Sequence, residues 1–442
     1  MPGNSTPAYY NAPLQTWDDA ARRAHQAARF DAMAATLLER NAFYRAKWAD
    51  LPAEHVNYAH LAELPFTRKR ELLEDQAAHG PFGTNLTYPL GDYIRMHQTS
   101  GTTGTPLRVL DTRRAWDWWG ECWRYVLDAA GVTRDDVVML AFSFGPFIGF
   151  WSAQEAVGQM GALMLSGGGM TSAQRLHAMR ELGATVLLCT PSYALHLAEE
   201  AEAEGIDLAR DLKVRVTVHA GEPGAGIPAT RERIETLWGV TAFDHPGASE
   251  VGAYGYSCAT REGVHVNEAE FIAEVVDPAT GAAVEPGQEG ELVLTNLGRD
   301  CFPVVRYRTG DVVRARARGL CGCGRTTLLL EGGILGRSDD MVTVRGVNVF
   351  PSAFLEIFNR IPGVVEHRIT AYRAEFLDQL HVEFECTDNR DRRAAVSQAI
   401  RDALGIRVSL HQCPPESLPR YELKAKRFFD RRTEDWQPGT AA

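Results

Sequence analysis

The sequence predicts an α/β protein. It has a large, multi-subdomain N-terminal part with mostly parallel sheets and a β-rich segment, then a small α+β domain. Three observations predict this. Between 132 and 245, near-continuous apolar strands alternate with helices, the pattern of a sheet buried on both faces. Residues 264–315 read as short strands joined by Pro/Gly turns, which suits antiparallel pairing. Beyond Gly336 the order is strand (341–349), helix (351–361), strand (365–373), strand (379–386), helix (390–404) and strand (406–412), a ferredoxin-like order. The boundary near Gly336 gives residues 1–335 as a core and 336–442 as a second domain.

Composition excludes several function classes. The 442 residues are 45% hydrophobic and 23% charged, an ordinary globular balance with ample chain for a large core. A net charge of −11 argues against nucleic acid and against an anionic membrane as partner. No run approaches the ~18 apolar residues of a membrane span. The stretch Met1–Gln15 lacks the apolar core of a secretory signal, and eight cysteines in this length are no disulfide scaffold, so a reducing, cytoplasmic compartment is expected.

In order along the chain, residues 17–50 read as helical, with Phe30, Met33, Leu37, Leu38 and Phe43 near helical spacing. The stretch Leu64-Pro65-Phe66-Thr67-Arg68-Lys69-Arg70 reads as a structural loop and a helix capped by Thr67. A helix with Trp116, Trp118, Trp119, Trp123 and Tyr125 has the aromatic stripe of a core element. Strands at 137–142, 184–189 and 213–218 are separated by helices at about 171–182, 191–204 and 228–238. Ligands of such sheets bind at the carboxyl ends of the strands. Three loops leave those ends: Ser143–Phe147, His219–Pro223 and His245–Glu250.

One loop stands out for chemistry. Thr99-Ser100-Gly101-Thr102-Thr103-Gly104-Thr105-Pro106 is rich in hydroxyls and glycine. Converging N–H groups and hydroxyls cradle anionic oxygens, above all phosphate. No lysine follows the second glycine, so the loop is not the usual nucleotide motif, and local composition alone equally describes a solvated loop.

Three further stretches complete a set: Gly247-Ala248-Ser249-Glu250, Arg306-Tyr307-Arg308-Thr309-Gly310-Asp311 and Gly336-Arg337-Ser338-Asp339-Asp340-Met341. In this order they resemble the adenylate-forming enzymes, namely acyl- and aryl-coenzyme A synthetases, peptide-synthetase adenylation domains and luciferases. Leu64-Pro65-Phe66-Thr67, Pro81-Phe82-Gly83, the segment from Val344 to Ser352 and the ending from Leu418 to Arg427 are similar to the phenylacetate–coenzyme A ligase branch. The resemblance covers roughly 60–430. It implies a mobile C-terminal domain and a two-step reaction: acid and ATP give an acyl-adenylate and pyrophosphate, then a coenzyme A thiol displaces AMP.

The resemblance also implies roles. Thr99, Ser100, Gly101, Thr102, Thr103 and Gly104 would hold the leaving phosphates. Gly247, Ala248 and Ser249 would sit at the nucleotide, with Ser249 at the α-phosphate, and Glu222 and Asp244 join this ATP/AMP set. Glu250 would hold Mg²⁺, or else cap a helix. Asp311 would take both ribose hydroxyls, its alternative being a turn residue, and Arg337 would add a donor. Lys424 would be the mobile cation of the first step, its alternative a solvated tail position. Asp339 would be the hinge. Three positions depart from the family pattern: Leu423 in place of Gly, a phosphate loop without Lys near Pro106, and Pro246 in place of an aromatic.

Cys258, His265, Cys321 and Cys323 form an ordinary ligand set for structural zinc, or a reduced thiol cluster. The acid pocket is expected among Phe142, Phe147, Ile148, Trp151, His219, Ala220 and Gly221. Flat apolar walls suit an aryl acid, and the loops carry no cation for a second carboxylate. His219 would bond a ring substituent, or be a strand-end histidine with a backbone partner. The expected partners are a small aromatic carboxylic acid, ATP and coenzyme A, with a homodimer as the assembly candidate. Two rivals keep the fold: transfer to a carrier-protein thiol or an amine, and a non-catalytic nucleotide-binding regulator.

Overall fold

The computed structural model describes residues 9–99, 105–319, 321–338, 342–344, 347–374, 377–388, 390–421, 425–434 and 436–439. At its centre is a five-stranded parallel sheet in the order Leu163–Ser166, Val137–Leu140, Val186–Cys189, Val216–His219, Thr241–Asp244. Successive side chains alternate between two cores, as a pleat requires. Val138, Leu140, Val186 and Leu188 join one cluster; Met139, Leu187 and Cys189 join the other. The end strands Leu163–Ser166 and Thr241–Asp244 were not among the expected elements. The first has exposed ends, and the second, Thr241-Ala242-Phe243-Asp244, is polar at both ends.

The helices between the strands match the expected positions: Ser172–Leu182, Pro191–Ala203 and Pro228–Trp238. Their termini are written locally. Thr171 and Gln174 form a reciprocal capping box, Thr190 caps before Pro191, and Gly183 and Gly239 close the first and third helices in the left-handed conformation. The helical stretch over 17–50 is two helices, Asp19–Arg40 and Ala42–Lys47. Asn41 breaks it, because its extended backbone and side-chain oxygen cap the second helix at Tyr44 N.

The helix Arg113–Ala129 buries all four tryptophans. Each contributes on the order of 5 kcal/mol of gross apolar transfer. Thr67 does not cap the helix Lys69–Ala78. Its hydroxyl donates to Val305 O, and the Glu71 carboxylate accepts from Arg68 N instead. The loop at 99–106 lies inside the antiparallel pair Tyr93–Gln98 and Arg108–Thr112.

The β-rich segment is an antiparallel sheet of Phe271–Val276, Glu289–Asn296, Tyr307–Arg314 and Gly336–Arg337. Beside it lie Gly255–Ser257, Gly263–Val266 and Leu329–Glu331. The C-terminal α/β domain has a four-stranded sheet in the order Ser409–Cys413, Leu377–Cys386, Val364–Ala374, Phe428–Asp430, with helices Pro351–Asn359 and Arg393–Leu404. It differs from the expected ferredoxin-like order at its first strand. The stretch 341–349 is a separate hairpin, Val342–Val344 with Val347–Val349, and the last strand, Phe428–Asp430, lies parallel beside Val364–Ala374.

This domain rests on the core through polar contacts. Ala229 N donates to Glu356, Asn359 to Thr230, Arg233 to Asn359 and Ser352 to Leu335 O. An interface of this character is typical of domains that move relative to one another. Among the described residues, no helix is long and apolar enough to cross a membrane, and all eight cysteines are free thiols.

Candidate active site

The strand Tyr307–Arg314 organises one wall. Gly310 has φ +75° and allows Arg337 to approach; a Cβ there would stand 2.9 Å from Arg337 Nη2. Arg337 Nη1 donates to Asp311 Oδ1 at 3.2 Å and to Thr309 O at 3.3 Å. The Tyr254 hydroxyl donates to Asp311 Oδ2 at 3.2 Å. Both oxygens of Asp311 are therefore oriented, and the carboxylate remains partly accessible for vicinal hydroxyls.

Four residues earlier on the same strand, the Tyr307 hydroxyl donates to Glu250 Oε1 at 2.7 Å. Burial first, then the Glu250 charge, hold the Tyr307 hydroxyl well above its ordinary range, so it stays a donor. Lys69 Nζ lies 3.7 Å from the same oxygen. Glu250 is buried, and among the described residues both contacts fall on Oε1, which leaves Oε2 for a cation. A buried carboxylate oxygen is a ligand that a hard divalent ion such as Mg²⁺ takes.

The turn bearing Gly247, Ala248, Ser249 and Glu250 is closed by reciprocal bonds, Ala248 N to Gly252 O and Gly252 N to Ala248 O. Gly252, at φ +140°, packs where a Cβ would strike Phe271 and Trp118. Arg299 Nη1 donates to Ser249 O at 2.7 Å, while Nε and Nη2 hold Asp111 at 2.6 and 2.8 Å in a fully buried pair. Asp111 lies on the strand that follows the phosphate loop, so this pair ties loop and turn together.

Of the phosphate loop, Thr99 is described, and it closes the loop's base. Its backbone N donates to Leu107 O, and its hydroxyl accepts from Leu107 N. Ser100, Gly101, Thr102, Thr103 and Gly104 lie outside the described residues, as do Asp339 and Lys424. Glu222 occupies a different place from the nucleotide set. One carboxylate oxygen accepts from Ser192 N at 2.8 Å and the other from Ala425 N at 2.8 Å, so it latches the C-terminal chain beside 422–424 onto the core. Asp244 ends a sheet strand beside Gly226 and Gly333, and burial raises its carboxyl to about 7.

The aromatic pocket residues cluster. Phe142 packs on Phe144 and Phe150 at 4.6 and 4.8 Å, and Phe144 meets Trp151 edge-on at 4.5 Å. Trp151 Nε1 donates to Gly145 O. Phe147 is half-buried against Gly145, Ile148 is buried, Gly221 is left-handed at φ +94°, and Ala220 packs on the same core. His219 does not join them. It is fully buried, with Nε2 at 2.8 Å from Thr217 Oγ1 and Nδ1 at 3.3 Å from Cys189 O. Of its two readings, this is the strand-end histidine with local partners.

The four zinc candidates converge. The donor atoms of Cys258, His265, Cys321 and Cys323 all lie within 4.8 Å of one another, and all four residues are buried. Cys258 Sγ and Cys321 Sγ are 3.7 Å apart, and Cys323 Sγ is 3.4 Å from His265 Nε2. Zn–S bonds of about 2.3 Å at tetrahedral angles place sulfurs about 3.8 Å apart, so the set fits. His265 Nδ1 meets Thr327 Oγ1 at 3.1 Å, the outer bond that orients a metal-binding imidazole.

Sequence reasoning did not foresee Tyr307 on Glu250, Lys69, the Arg299–Asp111 pair or the Glu222 latch. Tyr307 stands inside a motif already singled out; the others join positions far apart in sequence.

Comparisons with known proteins agree with this geometry. Residues 31–298 match the sequence model of the AMP-binding enzyme family, and 346–432 match the AMP-binding enzyme C-terminal domain. The phenylacetate-coenzyme A ligase of Pseudomonas putida is 33% identical over 436 residues, covering 95% of this chain and 96% of its own. That of Thermus thermophilus is 32% identical, covering 96% and 99%. The structure of a 2-hydroxyisobutyryl-CoA ligase in its postadenylation state with 2-HIB-AMP overlays with a TM-score of 0.91 at 28% identity, covering 98% of this chain and 94% of the other. The same ligase in its thioesterification state, with 2-HIB-AMP and CoA, overlays at 0.73 over the same shares. The present arrangement of core and C-terminal domain is thus similar to the former state. The chain belongs to the AMP-binding, adenylate-forming enzymes, in their phenylacetate–coenzyme A ligase-like branch.

Proposed function

We propose that the protein is an ATP-dependent, AMP-forming ligase that joins an aryl or arylacetic acid to coenzyme A. The observation that carries this reading is the strand Tyr307–Arg314. It presents Asp311, braced by Arg337 and Tyr254, four residues from Tyr307, braced on Glu250.

In the first step the acid's carboxylate oxygen attacks the α-phosphorus, and the bond to pyrophosphate breaks. Asp311 and Arg337 hold the ribose, Ser249 meets the α-phosphate, and residues 99–104 hold the leaving phosphates. Glu250 would hold Mg²⁺, whose chemistry when bound would be to neutralise phosphate charge. Lys424 contributes the mobile cation, bridging α-phosphate and carboxylate. Bringing two anions together needs this alignment and charge compensation. In the second step a coenzyme A sulfur attacks the acyl carbon, AMP leaves, and the thiol proton passes to solvent.

The division into a core (1–335) and a lid (336–442) with a hinge at Asp339 is part of the same reading. The separate family matches and the polar interface support it. The Glu222–Ala425 latch suits the adenylation arrangement. Cys258, His265, Cys321 and Cys323 hold a structural Zn²⁺ that pins the segment after Glu250 to the loop before the lid. Free thiols throughout support a reducing, cytoplasmic setting.

The rings of Phe142, Phe144, Phe147 and Trp151 favour an aromatic acid, as do the named substrates of the ligases in P. putida and T. thermophilus. A small hydroxy acid is the second reading, from the 2-hydroxyisobutyryl-CoA ligase. Pyrophosphate release is measured across substituted benzoates, phenylacetates, short hydroxy acids and long-chain fatty acids, with and without coenzyme A. Turnover with aryl acids and coenzyme A is expected; response to fatty acids alone would contradict the pocket.

A further inference from the structure

The phosphate loop at 99–106 contains no lysine or arginine. Lys424, in the proposed reaction, arrives with the lid in the first step only. A triphosphate bound before the lid arrives still carries several negative charges, only two of which a divalent cation offsets. A resident cation on the core is missing from the motif-based account.

Lys69 has the required placement. It is the first residue of the helix Lys69–Ala78, and its Nζ lies 3.7 Å from Glu250 Oε1. The helix is braced at both ends against elements of the site. Before it, Thr67 N donates to Arg306 O and Thr67 O accepts from Arg308 N, on either side of Tyr307. Phe66 lies under the Arg306 guanidinium at 4.1 Å. Near its other end, Gln76 grips the backbone of Arg108, donating from Nε2 to its O at 2.6 Å and accepting from its N at 3.1 Å. Arg108 opens the strand that returns from the phosphate loop. The helix that carries Lys69 is thus fixed both to the Tyr307 strand and to the strand that follows the loop, with Lys69 itself at Glu250. Its side chain is 42% exposed, so the four-carbon stem is free to swing.

We infer that Lys69 is the core's triphosphate-binding cation. With no nucleotide bound it compensates the buried charge of Glu250, to which it is the cation the described residues bring. When Mg²⁺ with its nucleotide takes Glu250, the ammonium moves onto β- or γ-phosphate oxygens. The exchange keeps every charge paired and breaks no covalent bond. This inference rests on the proposed metal role of Glu250.

The test is calorimetric titration with Mg²⁺ and α,β-methylene-ATP, which binds without turnover, and separately with AMP, which lacks the outer phosphates. Lys69→Met is expected to weaken the triphosphate analogue about ten- to a hundredfold, the loss of one charge-assisted contact, and to leave AMP within about twofold. Lys69→Arg keeps the charge and is expected to restore most of the binding. Unchanged melting temperatures establish that the variants fold. Triphosphate binding by Lys69→Met within twofold of the parent, or an equal loss for AMP, overturns the role. A parent protein that binds AMP and triphosphate equally weakly, with no Mg²⁺ effect, overturns the metal role of Glu250 and this inference with it.

Discussion

The Tyr307 hydroxyl donates to Glu250 Oε1 at 2.7 Å across 57 positions of sequence. It joins two motifs, one ending in Glu250, proposed for the metal, and the other in Asp311, proposed for the ribose. Tyr307→Phe keeps the buried ring and removes the donor. Loss of a hydrogen bond to a charged group is worth about 1.5–3 kcal/mol. The Mg²⁺ concentration for half-maximal pyrophosphate release is expected to rise about tenfold, with little change in melting temperature. An unchanged Mg²⁺ dependence would show that Glu250 is held by other contacts.

Asp311 is aimed by two donors, so its charge and its orientation are separable. Asp311→Asn is expected to lower kcat/KM for ATP by about thirtyfold or more, because two hydroxyl contacts lose their charged acceptor. Tyr254→Phe leaves the carboxylate with Arg337 and is expected to cost only about three- to tenfold. Steady-state kinetics in ATP checks both; a larger effect from Tyr254→Phe would reverse their assigned ranks.

Glu222 holds Ala425 N at 2.8 Å, beside the chain that bears Lys424. Glu222→Gln should slow adenylate formation about fivefold by weakening the docked lid, at the scale of one charge-assisted bond. Consumption of preformed aryl-adenylate by coenzyme A should not slow if, as proposed, the lid leaves this arrangement for that step. Equal slowing of both steps counts against a latch.

The thiol cluster predicts about one zinc per chain by mass spectrometry of protein purified without added metal. Cys321→Ser should lose the metal and melt several degrees lower. Metal-free protein of unchanged stability would falsify the zinc assignment.

Buried imidazoles, His367 among them, weaken the fold in acid. Burial lowers His97, His219 and His245 to about 4 each. A histidine whose folded value lies below its unfolded one binds fewer protons in the native state. It therefore costs stability as pH falls from about 6.5 to 4, by an amount on the order of 3 kcal/mol each. Asp244, raised to about 7, acts oppositely and loses stability as pH rises from about 4 to 7. The melting temperature should fall steadily on acidification below about pH 6.5, and less steeply in His245→Gln. A flat profile from 6.5 to 4 would contradict the neutral burial of these rings.

Local chemistry was the legible part of this chain. The helix Pro228–Trp238 announces itself through its proline start and glycine stop, and Glu250 and Asp311 sit in motifs whose residue types suit their chemistry. What could not be read is long-range pairing. Arg299 meets Asp111 across 188 positions, and Lys69 meets Glu250 from a helix that reads as structural. Thr67 looks like a cap because threonine caps well, yet the strand beside it offers Val305 O at 2.8 Å. The stretch 341–349 reads as one strand because its valines are β-formers; the fold instead pairs Val342–Val344 with Val347–Val349. His219 reads equally as ligand or core, and only its contacts with Thr217 and Cys189 decide.

The central claim is attack of the acid's own oxygen on the α-phosphate. It is tested most directly by turning over an arylacetic acid labelled with ¹⁸O in both carboxyl oxygens, with ATP, Mg²⁺ and coenzyme A, and reading the products by mass spectrometry. The account predicts one ¹⁸O in each AMP, unlabelled pyrophosphate and an aryl-coenzyme A thioester. Label in inorganic phosphate with ADP as co-product, or unlabelled AMP, would contradict it.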